Sequence, residues 1–336
     1  MWAYEYSEVV ALDGLRRVVR PDPVPGPHDI VLRMRAAALN FRDLAIARGN
    51  YHVAVAPPLV PLSDGAGEVF AAGTAVTRFQ VGDLACPTYL PGWISGPVSS
   101  EAGRRRLGGP SDGVLAELMC LHEDEAVRAP VHLDAVEAAT LPVTSVTAWH
   151  QLYEAGRLRP GETVLVQGAG GVSTAALQLA RAGGARVIVL TRGGRHAARL
   201  RELGASDVVA GGDGADWPAQ VMALTGGLGV DAALDVAGGA SLARSISALR
   251  VGGRVHLVGY AADTSATLDI FEAIRRGATI HVATAGSRHS FEALVRAMEL
   301  HAIKPPVAAA FPADRVRDAL DHLARGGHLG KVVLTF

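Results

Sequence analysis

Residues 160–204 read PGETVLVQGAGGVSTAALQLARAGGARVIVLTRGGRHAARLRELG. The apolar run Thr163 to Gln167, the glycines after it, the helical spacing of Val172, Ala176, Leu179 and Ala180, and the β-branched stretch Ala185 to Thr191 predict strand, turn, helix and strand. That is one βαβ unit, and its turn suits an anion. Gly168 permits the tight turn, Gly170 removes the side chain that would hold a pyrophosphate off the backbone, and Gly171 and Val172 open a helix whose free N–H groups attract negative charge. Ser173 stands at the third fingerprint position, where glycine is usual. A glycine-rich turn in an α/β protein can be only a turn, but the flanking strand and helix argue for a bound dinucleotide.

The end of the second strand says which dinucleotide. A chain that selects NAD places Asp or Glu there, about 20 residues past the glycines, to bind the ribose hydroxyls. Here Thr191, Arg192, Gly193, Gly194 and Arg195 follow one another without an acid. Two guanidiniums where a 2′-phosphate needs a partner favour NADP(H), with NAD(H) as the alternative. Two solvated arginines starting a surface helix are the plainer reading.

The 336 residues allow roughly two domains. A net charge of −1 gives no field for nucleic acid or an anionic membrane, and Arg104 to Arg106 sit in a glycine-rich loop. Cys86 and Cys120 are far apart with no CxxC, which argues against a zinc cage or a disulfide framework and fits a reducing cytoplasm. The first ten residues, MWAYEYSEVV, lack the pattern of a signal peptide, and no apolar run reaches the ~20 residues of a membrane helix, so a soluble protein is expected.

Residues 1–125 read as short strands (Trp2 to Tyr6, Leu15 to Arg20, Ile30 to Ala37, Gly65 to Ala72, Val114 to Leu121) with one helix, Phe41 to Arg48. This predicts a β-rich domain, a distorted barrel. The loop 91–113 has no periodicity and reads as a lid, with Trp93 as its apolar contact, or as a surface insertion. Helical spacing starts at Asp134. Strands at 207–210, 230–236, 255–259 and 279–284 then alternate with helices at 217–224 and 240–249, which implies a doubly wound parallel sheet. Helices 291–301 and 313–325 and a strand 331–336 end the chain.

The segments AAALNFRDLAIARGNY (36–51), PLVPLSDGAGEV (58–69), VTRFQVGDLACP (76–87), AATLPVTSVTAW (138–149), TVLVQGAGGVS (163–173) and GHLGKVVL (327–334) together resemble the medium-chain dehydrogenase/reductase superfamily. Within it the chain looks most like the zinc-independent branch of quinone oxidoreductases and enoyl reductases. The resemblance implies an α/β fold of two parts: a GroES-like, distorted-barrel substrate domain (1–125 and 285–336) and a Rossmann dinucleotide-binding domain (126–284). Where zinc-dependent members hold the metal with Cys, His and Cys, the corresponding positions look like Asn40, Ser63 and Val143. Amide, hydroxyl and isopropyl groups are not the thiolate, imidazole or carboxylate that zinc prefers, so no metal is expected.

By the same resemblance Asn40 lies beside the nicotinamide; it is also a favoured helix N-cap before Phe41. Tyr51 matches a tyrosine over the active site of some zinc-independent members, and a phenol with an ordinary pKa near 10 can donate a hydrogen bond or a proton. His52 is the alternative donor, and in a strand-like segment only one of these neighbours can face the site. Asp43 completes NFRD and is expected to organise the site by a hydrogen bond or ion pair, with Asp64 structural. Thr147, Val258, Gly259, Tyr260, Ala283 and Ala285 correspond to positions lining the nicotinamide half. Lys331 returns toward the cofactor, or is an exposed lysine at a strand start.

These residues favour an NADPH-dependent, zinc-independent reductase acting on a conjugated carbonyl (enone or enoyl thioester) or a quinone. The rivals are a non-catalytic NADPH-binding scaffold or sensor and a zinc-type alcohol dehydrogenase. The resemblance further implies a homodimer formed by pairing of the 279–284 strand with its copy.

Overall fold

The computed structural model describes residues 1–211, 215–282 and 284–336. They form two compact units, residues 1–146 with 286–336 and residues 147–285.

The first unit opens with an antiparallel ribbon of β1 (Trp2–Tyr6) and β2 (Leu15–Val19). It continues through β3 (Asp29–Ala38), α1 (Phe41–Ala47), β4 (Asp64–Ala72), β5 (Leu84–Pro87), α2 (Ser100–Arg104), β6 (Leu118–His122), β7 (Ala126–Arg128) and α3 (Ala135–Ala138). Residues 126–146 belong here, although the sequence reading gave them to the Rossmann part. The reason is local: β7 pairs with β5, and α3 packs on β3 and β4. Strand pairing was expected over 114–121 but starts at Leu118, because residues 114–117 cross to β1, meeting it through Tyr4 N–H to Leu115 O (2.9 Å) and one bridge at Ala3 and Ala116. β5 and β7 are too short for alternation to reveal them.

α4 (Val146–Trp149) leads into the second unit, which contains β8 (Thr163–Gln167), α5 (Gly171–Ala182), β9 (Arg186–Arg192), α6 (Ala197–Glu202), β10 (Asp207–Gly211), α7 (Trp217–Leu224), β11 (Val230–Asp235), α8 (Ala240–Ser247), β12 (Leu249–Leu257), α9 (Ile270–Arg276) and β13 (Thr279–Val282). Its six strands pair in parallel in the order β10-β9-β8-β11-β12-β13. The inversion beside β8, with β9 on one side and β11 on the other, puts a topological switch point at the glycine turn. Val164, Leu165 and Val166 are fully buried, as are Val187, Ile188 and Val189, because a parallel sheet is covered on both faces. Each such side chain contributes about 1.5–3 kcal/mol by leaving water. The first half of β12 escapes a sequence reading because Gly252 and Gly253 break its pattern, where the register against β11 slips between Val230 and Ala232. Helix α9 is only seven residues long, capped by the Asp269 carboxylate on Phe271 and Glu272 N–H.

The chain then returns to the first unit through α10 (Arg288–His301), β14 (Val307–Pro312), α11 (Val316–Arg325) and β15 (Lys331–Thr335). The main sheet of that unit runs β14-β15-β3-β4-β5-β7, with β6 also paired to β3. β15 lies antiparallel on β3, with Leu334 against Ala37, so the last strand is seated at the centre of a core that includes Ile30, Leu32, Leu59, Leu62 and Leu115. In the linking stretch the helical spacing from Asp134 does not give one regular helix: residues 141–145, which include Pro142, and 150–155 wind as π turns.

Candidate active site

In the second unit Gly168 turns at φ 82°, a conformation that suits glycine, directly after β8. Gly170 caps α5, and a Cβ placed on it would meet nothing within 4 Å, so the space in front of the helix is open. Gly171 and Val172 begin the helix. Ser173 does not face that space: its Oγ donates to Gln167 O at 2.5 Å, which ties the helix to the strand where a third glycine would otherwise let them pack.

At the end of β9, Thr191 is buried with its Oγ1 unpartnered among the described residues. Arg192 and Arg195 are exposed around the Gly193–Gly194 turn and make no ion pair among the described residues. The strand-end loops on the other side of β8 are held by Asp235, which is fully buried. Its carboxylate accepts from Ala237 N–H (3.0 Å), Gly238 N–H (2.9 Å), Ser245 Oγ (2.7 Å) and Gln167 Nε2 (3.2 Å). Its carbonyl accepts from Val258 N–H at 2.8 Å, so Asp235 places Val258 and Gly259. No Cβ fits on Gly259, which would come within 2.4 Å of Val236 O. Asp235 was missed in the sequence, although an acid closing a strand before Val-Ala-Gly-Gly was there to read. Thr147 is buried, Tyr260 half-buried, and Ala285 is buried with φ 49°. Ala283 lies outside the described residues. Also missed was His256, whose Nδ1 meets Gln151 Oε1 at 3.1 Å. Burial, with His281 and Arg254 adding to it, pushes its imidazole down to about 3 and keeps it neutral.

In the first unit three distant segments converge on one ammonium. Lys331 is 4% exposed and donates to Asn40 Oδ1 (2.6 Å), Asp64 Oδ2 (2.8 Å) and Leu39 O (2.8 Å). All three ammonium protons are thereby used. Lys331 is therefore not the exposed lysine of the sequence reading. Asn40 Nδ2 donates to Asp64 Oδ2 at 2.9 Å, and Val143 N–H donates to Asp64 Oδ1 at 2.7 Å. Ser63 is fully buried and its Oγ has no partner among the described residues. Among the described residues no three His, Cys, Asp or Glu side chains gather to hold a metal ion.

Helix α1 starts at Asn40. Asp43 Oδ2 accepts the Asn40 N–H at 2.7 Å, while Asp43 Oδ1 is buried without a hydrogen bond, 3.6 Å from Arg42 Nη1. Burial raises the Asp43 carboxyl to about 6, and Arg42, the Asn40 N–H and Lys331 only partly offset it. Arg42 itself donates to Leu107 O and Gly109 O, both at 2.9 Å. Its guanidinium lies 5.1 Å from the ring centres of both Tyr51 and Tyr89. The phenol oxygens are 3.3 Å apart, and Arg42 Nε is 3.5 Å from Tyr51 Oη.

Tyr51 and His52 do not face opposite ways as expected. Their ring centres are 4.4 Å apart, because the chain bends at residues 52 and 53, where side chains need not alternate as on a strand. Trp93 is buried, its indole N–H donating to Gly96 O at 2.8 Å, so it is a core residue of the first unit and not a lid tip.

Two family models match the chain: one described as an alcohol dehydrogenase GroES-like domain over residues 26–131, the other as a zinc-binding dehydrogenase over residues 171–299. A zinc-type alcohol dehydrogenase-like protein of Schizosaccharomyces pombe is 33% identical over 314 residues, 92% of this chain and 91% of the relative. Human quinone oxidoreductase is 26% identical, over 93% and 90% of the two chains. The crystal structure of a provisionally named alcohol dehydrogenase from Sinorhizobium meliloti 1021 covers 100% of this chain and 99% of its own, with a TM-score of 0.92 and 38% identity. The chain belongs to the medium-chain dehydrogenase/reductase superfamily, with a Rossmann-like parallel sheet and a GroES-like part, and is an oxidoreductase of that family.

Two outcomes follow from the buried charges. Lys331→Met leaves Asp64 buried without a cation and should cost about 3–5 kcal/mol. Adding Asp64→Asn should recover most of the loss, so a urea-denaturation double-mutant cycle that came out additive would break the pairing. For Asp43 the folded pKa is raised, so its contribution is fully present below the ordinary 3.8 and is lost as pH rises through about 6. Wild type should lose roughly 3 kcal/mol across that window. Asp43→Asn should flatten this part of the stability curve, gaining on wild type from acid to neutral pH.

Proposed function

We propose that the chain is a zinc-independent, NADPH-dependent reductase acting on a conjugated carbonyl (enone or enoyl thioester) or a quinone. The observation that carries the reading is the Lys331 ammonium between Asn40 and Asp64. Zinc takes thiolate, imidazole or carboxylate ligands, whereas Asn40, Ser63 and Val143 offer an amide, a hydroxyl and no donor atom. The carboxylate beside them, Asp64, already faces an ammonium 2.8 Å away, so a divalent ion would meet a like charge. The donor set does not fit zinc, and no step runs through it. Oxidising a simple alcohol needs help in removing its proton. A polarised acceptor needs only hydride at carbon and a proton at the developing anion.

The bound cofactor supplies the hydride. The turn at Gly168, Gly170, Gly171 and Val172 would hold its pyrophosphate on backbone N–H groups, and Arg192 and Arg195 would pair with its 2′-phosphate. Thr191 would lie on the adenosine side, and Thr147, Val258, Gly259, Tyr260 and Ala285 would line the nicotinamide half. Asn40, fixed by Asp64 and Lys331, holds the carboxamide or the acceptor oxygen. Asp43 fixes the Asn40 backbone, and Tyr51 or its neighbour His52 gives the proton. Hydride plus proton balances the two-electron reduction. Two free cysteines, Cys86 buried and Cys120 half-buried, fit a reducing, cytoplasmic setting.

Arg192→Ala and Arg195→Ala together should weaken NADPH binding by about 10–100-fold, as expected for two charge-assisted contacts. NADH binding should change less than about threefold, since it has no 2′-phosphate for them to hold. Fluorescence titration measures both, and equal losses would refute the 2′-phosphate assignment. In the same assay, protein dialysed against chelator should still oxidise NADPH with an enone, enoyl thioester or quinone. Binding without any turnover would favour the scaffold or sensor.

We further infer that a second copy covers the open edge at β13. There Val282 is 72% exposed, and Phe271 on neighbouring α9 is 85% exposed with Ile270 and Ile274 also bare. An unpaired strand edge beside an apolar helix is a hazard unless covered. Val282→Lys with Ile274→Asp should convert a dimer into a folded monomer in sedimentation equilibrium, and an unchanged mass would move the interface elsewhere.

A further inference from the structure

We infer that Tyr89 and Arg42 form a two-donor hole for the phenolate that Tyr51 becomes once it has given up its proton. This rests on the role proposed for Tyr51. The geometry is specific. Tyr89 Oη stands 3.3 Å from Tyr51 Oη, and Arg42 Nε stands 3.5 Å from the same oxygen. Both donors converge on one atom, as a developing oxyanion requires. The guanidinium cannot swing away, because Leu107 O and Gly109 O each hold one of its terminal nitrogens at 2.9 Å.

The charged and titratable groups around this pair fit the assignment. Burial pushes the Tyr89 hydroxyl well above the ordinary range, more than Arg42 and Arg106 lower it, so Tyr89 stays protonated and keeps an O–H to donate to Tyr51 Oη. Burial opposes the charge on Arg42, but Tyr89, Asp43 and Tyr51 around it more than compensate, so it remains a cation. Asp43, the acid beside Arg42, faces the guanidinium at 3.6 Å through an oxygen that makes no hydrogen bond. His52 completes the set. Burial, Arg106 and Arg42 all lower its pKa, so at neutral pH it is not an imidazolium with a proton to give. The guanidinium that helps to lower His52 stands 3.5 Å from Tyr51 Oη, so of the two donors left open by the sequence Tyr51 is the one this arrangement serves.

The proton step balances simply. The Tyr51 O–H bond breaks, the proton joins the carbanion or enolate left by hydride addition, and the electron pair stays on Tyr51 Oη. Arg42 N–H and Tyr89 O–H hold that pair until a solvent proton restores the phenol. Tyr89 and Arg42 are thus positioning residues that act through Tyr51.

The test uses the whole chain with tyrosine labelled at Cζ and followed by NMR against pH, the Tyr51 signal being the one lost in Tyr51→Phe. In Tyr89→Phe the Tyr51 titration should move up by about one pH unit or more, the effect of losing one hydrogen bond to a charged group. Arg42→Lys should move it the same way, since it keeps the charge but loses the fixed fork. With an accepted substrate, the alkaline limb of the kcat profile should move with it. An unmoved Tyr51 titration in a folded Tyr89→Phe variant overturns the inference, whatever the turnover. A moved titration with an unmoved kcat limb supports the phenolate hole and overturns Tyr51 as proton donor, so the two failures are distinguishable.

Discussion

One buried ion pair, Lys331 with Asp64, is the contact on which the first unit's polar interior depends. It joins the last strand, β15, to the start of β4, and through Asn40, Leu39 and the Val143 N–H it adds the entry to α1 and the chain after α3. Such a pair is worth little in net stability, because taking two charges out of water cancels most of their attraction. What it supplies is register. Gly330 turns into β15 at φ 85°, with room for no Cβ because Pro306 O would lie 2.0 Å away, and that turn delivers the ammonium to the one carboxylate able to receive it. A slip of one residue would put Val332 there and send Lys331 to the opposite face.

The fold was legible where one period dominated. β8 and α7 fall on the residues expected, and β9, α5 and β11 within a residue or two, because buried parallel strands are short apolar runs and their helices carry a clear stripe. What escaped had a physical reason in each case: three or four residues are too few to alternate in β5 and β7, and a glycine bulge hides the first half of β12. The glycine turn of the candidate site was readable because its chemistry is local, a backbone shape set by four consecutive residues. The Asn40, Asp64 and Lys331 cluster was not, although each residue was noticed. Its meaning lies in contacts across 267 and 291 positions of chain, which no window of sequence contains. Tyr89, whose contact with Tyr51 spans 38 positions, was missed for the same reason.

The cations divide by whether their charge is already spent. Lys331 is enclosed by acceptors, and Arg42 is fixed by two carbonyls and two phenol rings, so both act on whatever lies beside them without moving. Arg192 and Arg195 are exposed and unpaired among the described residues. Holding a long flexible side chain costs rotamer entropy, and an unengaged arginine meets that cost only when a ligand arrives.

The family names speak of zinc, while the residues place an ammonium against Asn40 and Asp64, and the proposed reaction is built on that difference. A metal ion with an open coordination position exchanges a water for a substrate oxygen and draws electron density from it. An ammonium whose three protons are already committed can do neither; it orients Asn40 and balances Asp64. In the proposed reaction the charge that builds on the acceptor must therefore be quenched by a proton rather than shared with a metal, and the donor has to survive as an anion for the time that takes. A phenol facing a guanidinium and a second phenol meets that requirement, and an imidazole beside two arginines does not. Fold alone is silent on this point, since the same two-part architecture serves both chemistries. The distinction rests on Lys331 standing against Asn40 and Asp64, and on which group has positive charge at its back.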